Sequence, residues 1–143
     1  MTVLVNKLRR IHFLSELLIK NPTIIVFAGS IPANVNMSLT LLKTNYQSVM
    51  LASYGYPDGP TVVGNTTDEG FRLTESNNDV TALASGTATW WVYADREAYG
   101  GDYSYFASDS ISLSGGTGML QLASLDYVAG TTSPNIIDFS ITA

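Results

Sequence analysis

Before Pro22 the apolar positions of this chain follow a helical period, and after it they follow the period of a strand. Leu4, Leu8, Ile11, Leu14 and Leu18 recur at intervals of three and four, while Lys7, Arg9, Arg10, Glu16 and Lys20 fall off that stripe. The spacing predicts one amphipathic helix ended by Asn21 and Pro22. Phe13 and Leu17 fall on its polar side. They either mark a second contact, in the same fold or on another subunit, or are ordinary exposed apolar groups. From Thr23 onward short apolar runs alternate with turn residues, and no second helical run of useful length is expected. Strands are predicted at Thr23–Ala28, Ser38–Lys43, Gln47–Ser53, Phe71–Glu75, Tyr103–Phe106, Ser110–Leu113, Met119–Leu122, around Leu125 and Tyr127, and at Ile136–Thr142. Tyr54–Pro60, with aromatics among Gly and Pro, reads as an exposed loop whose Tyr54 and Tyr56 could anchor an interface.

The stretch Gly86–Asp95 stands apart from the other strands because neither of its faces is polar. Ala88, Trp90, Val92 and Ala94 alternate to one side, and Thr87, Thr89, Trp91 and Tyr93 to the other. Such a strand belongs in the middle of a sheet covered on both sides by a second sheet, a helix or a neighbouring subunit. Trp90, Trp91, Val92 and Tyr93 are therefore the predicted structural core. About eight to ten short strands, with turn signals at intervals of roughly 8 to 12 residues, make the fold class mainly β. The expected architecture is a single β-sandwich, jelly-roll or Greek-key-like, with one N-terminal α-helix. Residues 1–22 form the helical arm and residues 23–143 the sandwich domain.

Composition narrows the chemistry. A chain of 143 residues can bury roughly two thirds of its unfolded surface without covalent staples. It contains no Cys, which excludes disulfides, thiol nucleophiles and Cys-based metal sites. Charged residues make up 13% of the chain, against about 25% in typical soluble domains. A surface so sparsely charged suits a protein packed against neighbours, and equally a secreted β-protein. Net charge is −5, divided into +4 up to Thr44 and −9 after it. Lys7, Arg9 and Arg10 either pack the start of the chain on its own acidic body or dock it on an acidic partner. Three clustered cations without interleaved aromatics make a poor nucleic-acid footprint, so nucleic acid is not the expected primary partner. The apolar positions near the N-terminus are interrupted by His12, Glu16, Lys20 and Pro22, unlike a secretory signal. No run approaches the roughly 18 to 20 apolar residues of a membrane span. A soluble, unprocessed chain is expected.

Motifs for catalysis are weak. A Ser-His-Asp arrangement would need His12, the single histidine, which sits on the predicted helix with no nucleophile elbow near it. One His does not make a zinc site. Asp95, Glu97 and Asp102 crowd one glycine-containing turn, but their spacing is not that of a calcium loop, and Arg96 supplies an internal counter-ion. Gly115–Gly118 has no following Lys or helix and reads as a turn, not a phosphate loop. Twelve acids leave a glycosidase-type carboxylate pair conceivable without selecting one. The chain is thus expected not to be an enzyme, with no catalytic residues, cofactor, metal or small-molecule substrate.

Three sets of stretches, in this order, resemble a group of small β-rich structural proteins of tailed-bacteriophage virions. They are an N-terminal helix followed by Thr23–Ala33 and Leu39–Leu42, the central Ala84–Trp90, and the closing Met119–Leu122, Val128–Thr131 and Ile136–Thr142. Members continue after the tryptophan with another aromatic and then a polar or basic residue; Trp91 fits, while Val92 stands where the charge would be. The resemblance implies a virion component present in many copies and acting through its contacts. It points first to a capsid decoration or cement protein, assembled in the host bacterial cytoplasm and bound to the major capsid protein and to copies of itself. A neck, tail or baseplate role is the alternative. A carbohydrate- or receptor-binding β-module, with an open tryptophan stacking on sugar rings, is the alternative of a different class. The interface would be carried by Lys7, Arg9, Arg10, Phe13, Leu17, Tyr54 and Tyr56.

Overall fold

A five-residue strand with no polar face needs a cover on each side, and the architecture follows from how these are supplied. The computed structural model describes residues 3–5, 23–55, 61–63, 70–73, 80–94, 101–103 and 105–142. Among these residues the fold is mainly β. In order, the elements are β1 (Val3–Val5), β2 (Thr23–Phe27), α1 (Leu39–Asn45), a 3-10 turn (Gln47–Val49), β3 (Met50–Gly55), β4 (Thr61–Val63) and β5 (Gly70–Leu73). There follow β6 (Gly86–Thr87), β7 (Trp90–Ala94), a second 3-10 turn (Gly101–Tyr103), β8 (Tyr105–Ser108), β9 (Ile111–Leu113), β10 (Leu120–Leu122), β11 (Asp126–Tyr127) and β12 (Ile136–Thr142). None of the described helices is long and apolar enough to cross a membrane.

Two five-stranded sheets are formed, ordered β1-β8-β7-β2-β3 and β4-β5-β12-β10-β9, together with a two-stranded ribbon of β11 and β6. In the first sheet every pair is antiparallel. β7 lies at its centre, with Trp90 opposite Phe27 and Trp91 opposite Val26 on β2. One face of this sheet gathers Ile24, Val26, Ala52, Tyr54, Trp91, Tyr93 and Phe106 against Leu120, Leu122, Ile136 and Phe139 of the second sheet. The Phe139 ring meets Trp91 edge-on at 4.8 Å and stacks on Tyr93 at 5.8 Å, within the range of favourable aromatic pairs. The other face, bearing Ile25, Phe27, Trp90, Val92, Tyr105 and Ala107, is roofed by Val35 and by Leu39 and Leu42 of α1. Both covers come from this same chain.

The strand expected at Ser38–Lys43 is instead the helix α1. Seven residues are too few for a helix to persist alone, where about 12 to 15 are marginal, so its surroundings decide. The Ser38 hydroxyl accepts the Leu41 amide at 3.1 Å, and the Asp102 carboxylate, distant in sequence, accepts the Thr40 amide at 3.2 Å. Two of the amides that a helix start leaves without a carbonyl are thereby satisfied. Leu39 and Leu42, one turn apart, then bury on the Trp90 face. The expected strand at Gln47–Ser53 opens as a 3-10 turn and becomes extended only from Met50. At the N-terminus, the predicted helix included Leu4, but Val3–Val5 is a strand paired antiparallel with β8. The remainder of that predicted helix lies outside the described residues.

β9 and β10 run parallel although few residues separate them, whereas parallel neighbours ordinarily need a crossover of about a dozen or more. The connection folds back against β9 itself. A Cβ on Gly118 would stand 2.6 Å from backbone atoms of Ile111 and Ser112, and one on Gly116 2.5 Å from the Ser112 hydroxyl. The Gly118 amide donates to that hydroxyl at 3.1 Å. Backbone atoms cannot step aside as a side chain can. Gly118→Ala is therefore expected to cost about 1–3 kcal/mol of unfolding free energy, measured by urea denaturation. Gly55→Ala, where an added Cβ meets nothing within 4 Å, is expected to stay within about 1 kcal/mol of the parent chain. Equal midpoints for the two variants would contradict this close fold-back.

Candidate interaction surface

Both tryptophans are inaccessible. Trp90 and Trp91 are 0% exposed, as are Val92 and Tyr93. The Trp90 Nε1–H donates to the Ala28 carbonyl at 3.0 Å and the Trp91 Nε1–H to the Ser110 carbonyl at 2.9 Å. Each indole thus has its polar atom satisfied by backbone and its faces packed: Trp90 stacks on Phe27 at 4.1 Å under the edge of Tyr46, and Trp91 sits between Phe106 and Phe139. A sugar-stacking platform built on either tryptophan is ruled out, because neither ring presents a face.

Tyr54, expected on an exposed loop as an interface anchor, is fully buried in β3. Its hydroxyl lies 2.6 Å from the Pro134 carbonyl and 2.7 Å from the Tyr127 hydroxyl. A carbonyl can only accept, so Tyr54 donates to Pro134, and Tyr127 donates to Tyr54. This chain of bonds ties β3 to the segment between β11 and β12. Burial pushes both phenols above their ordinary titration range. For Tyr127 the neighbouring Tyr54 adds to the rise, and for Tyr54 hydrogen bonding to Tyr127 offsets part of it. Tyr56 lies outside the described residues, as do Lys7, Arg9, Arg10, Phe13 and Leu17.

Among the described residues no group of three or more His, Asp or Glu could hold a metal ion. Of the acidic turn, Asp102 faces the first turn of α1, while Asp95 and Glu97 lie outside the described residues, as does His12. An open depression of about 330 Å³ beside α1 is lined by Thr40, Lys43, Thr44, Gln47 and Met50. It combines one cation with neutral groups and contains no nucleophile paired with a base.

Among the described residues one part of the surface is uncharged and apolar. Segments 80–85 and 128–133 lie alongside one another: the Ala82 amide donates to Thr131 at 2.8 Å, Gly130 donates back to Ala82 at 2.9 Å, and the Ala129 amide reaches the Ser85 hydroxyl at 2.9 Å. This pairing brings Leu83, 58% exposed, and Val128, 59% exposed, into neighbouring loops. The Leu83 amide also donates to the Leu51 carbonyl at 2.8 Å, which joins the loops to the edge of β3. Segments 44–57, 80–94 and 127–137 contain no Asp, Glu, Lys or Arg. Of the residues selected from sequence, the described ones, Tyr54 and Trp90 to Tyr93, are buried and take no part in this exposed surface. The signal available was the coincidence of three long uncharged runs, which says nothing until the fold puts them together.

Two outcomes test the interior of this region. Tyr54→Phe strands both the Tyr127 hydroxyl and the Pro134 carbonyl, and is expected to lower stability by about 1–3 kcal/mol, more than Tyr127→Phe, which leaves the bond to Pro134 in place. Both phenols titrate above 10.0, their unfolded value. Their contribution is therefore complete below about pH 10 and declines above it, where the unfolded chain releases protons that the fold retains. Denaturation midpoints across alkaline pH should be flatter in Tyr54→Phe/Tyr127→Phe than in the parent chain. No family model, curated protein or solved structure matches this chain.

Proposed function

We propose that this chain is a structural component of a tailed-phage virion, a capsid decoration or cement protein that stabilises the shell through protein–protein contacts. The observation that carries the reading is the uncharged surface around Leu83 and Val128 on a chain whose tryptophans are wholly engaged inside. The resemblance of Thr23–Ala33, Ala84–Trp90 and the C-terminal stretches to virion proteins supports it. Under this reading the two facing sheets form a β-sandwich of jelly-roll or Greek-key-like path. The major capsid protein and further copies of the chain are its partners.

Mechanistically, each copy would bridge a joint between capsomers and bury apolar side chains there, each aliphatic group contributing about 1.5–3 kcal/mol when fully covered. A stable contact buries roughly 1,200–2,000 Å² in total, so Leu83 and Val128 serve as anchors within a wider footprint. The stretch 6–22, with Lys7, Arg9, Arg10, Phe13 and Leu17, would supply the complementary contact on the acidic surface of a neighbour, since Val3–Val5 belongs to the chain's own sheet. Repetition over many copies turns a modest contact into a resistant shell, since rupture must break many such contacts together.

The test is the location of the protein in purified particles separated into heads and tails, followed by heating of heads that lack it. Recovery in heads at high copy number, with deficient heads rupturing at lower temperature, is the expected result. Recovery in tails or baseplates alone would replace the cement role with the alternative. Absence from particles altogether would overturn the virion reading.

A further inference from the structure

β2 and β3 pair as a hairpin, with Phe27 opposite Met50, but the chain joining them is far longer than the about two to five residues a hairpin loop needs. The Ala28 amide donates to the Val49 carbonyl at 2.9 Å, so segment 29–48 leaves the sheet and returns to it at one point. It holds α1 and most of the first 3-10 turn, and no residue of a strand. This excursion is the layer over the Trp90 face. Val35, Leu39 and Leu42 are buried there, and Tyr46 sets its ring edge-on to Trp90 at 5.3 Å. Its closed base and inward-packed side chains are those of an Ω-loop drawn out to greater length.

The two covers of β7 are therefore bound in different ways. On the Trp91 side the cover is β12, hydrogen-bonded to β5 and to β10 within its own sheet. On the Trp90 side the cover belongs to no ladder, and side chains of the body reach out to it. The Asp102 carboxylate accepts the Thr40 amide at 3.2 Å, and the Tyr105 hydroxyl donates to the Met37 carbonyl at 2.6 Å, with the Val35 carbonyl 3.1 Å away. Both groups come from one short stretch, the second 3-10 turn and the first residue of β8. A helix of seven residues does not persist without its tertiary contacts, so loss of these contacts releases α1 as well. At the exit from β2, Gly29 has a φ of +80°, and a Cβ built there meets nothing within 4 Å. The backbone can turn at that point without a steric wall.

We infer that segment 29–48 is a releasable cover, latched by Asp102 and Tyr105 and hinged at Gly29, which opens from the Trp90 face as one unit while both sheets stay intact. Opening it breaks no strand pairing. It uncovers Phe27 and Trp90 but not Trp91 or Tyr93, which face the second sheet. A unit of this kind opens at a lower free energy than the whole fold, because only its own contacts are given up. β7 thus has one fixed cover and one that can be lifted. The inference stands apart from the virion reading because the isolated chain tests it.

Native-state hydrogen exchange at individual amides, repeated in low concentrations of urea, decides the matter. The reporters are the Leu42 and Tyr46 amides, bonded to the Ser38 and Leu42 carbonyls. Both are expected to share one protection factor, at least about tenfold below that of the β2–β7 ladder, and one urea dependence, weaker than that of the ladder because less surface is exposed. Tyr54→Phe weakens the core common to the closed and open forms. It should lower protection in the ladder and leave Leu42 and Tyr46 unchanged. Tyr105→Phe and Asp102→Ala destabilise the closed form alone, and should lower protection of α1 and of the ladder by equal factors. If Asp102→Ala does not fold, Tyr105→Phe and the urea series carry the test. Leu42 and Tyr46 amides that match the ladder in protection and urea dependence, and that fall with it in Tyr54→Phe, would overturn the inference, since α1 would then leave only when the whole chain unfolds. Exchange with no urea dependence, the mark of bonds fraying one by one, would overturn it as well.

Discussion

Two adjacent tryptophans on one strand impose a condition that the rest of the fold must meet. Successive side chains of a strand point to opposite faces, so burying both Trp90 and Trp91 requires a layer above β7 and a layer below it. An indole also carries one donor that must be bonded wherever it is buried. The chain satisfies both demands with segments distant in sequence. The loop after β2 supplies the Ala28 carbonyl and α1 the roof on the Trp90 side; the turn between β8 and β9 supplies the Ser110 carbonyl and β12 the Phe139 ring on the other. At about 25 cal/mol per Å² and 150–250 Å² per large aromatic, each tryptophan accounts for roughly 4–6 kcal/mol of burial as an upper bound. Few other residues command so large a share of a marginal total.

The same strand shows why alternation can be read correctly and still place a residue on the wrong face. Simple period two sets Ala88 on the Trp90 side, yet Ala88 packs with Trp91 in the core shared by the two sheets. Gly86 and Thr87 belong to the ribbon with β11, and only from Trp90 does the chain join the sheet. Across that step the Ala88 amide bonds Leu125, the Thr89 amide bonds Phe27, and the Thr89 hydroxyl reaches Gly29. Three partners in two distant segments turn the backbone between the two pairings. Alternation holds within a ladder, and it resets when the ladder changes.

What was legible in the sequence was what local pattern determines. The run of Trp90 to Ala94, the buried strand at Thr23 to Phe27, the turn at Gly115 to Gly118 and the closing strand from Ile136 all rest on composition over a handful of residues. What escaped depended on partners far along the chain. Leu39, Leu41 and Leu42 fit a strand as well as a helix, and the carboxylate that caps α1 comes from Asp102. Tyr54 looked like an exposed loop aromatic because Gly55 and Pro57 follow it; its burial depends on Tyr127 and Pro134. Val3–Val5 read as the start of a helix because Leu4 fits the helical stripe, and only β8 makes it a strand.

The candidate surface was harder to see than the fold for a related reason. Sequence reading finds function through residues with distinctive chemistry, and among the described residues most of these face inward: both tryptophans, Tyr54, Tyr93, Tyr105 and Tyr127 are buried. The outward side of β3 presents peptide groups, which every residue has, and aliphatic side chains, which every core has. Neither type is informative alone. They become a surface only when the bond from Leu83 to Leu51 and the pairing of Ala82 with Thr131 bring exposed aliphatics to the edge of β3. An interior can thus be well specified by sequence while the exposed surface around it is written in the least distinctive residues of the chain.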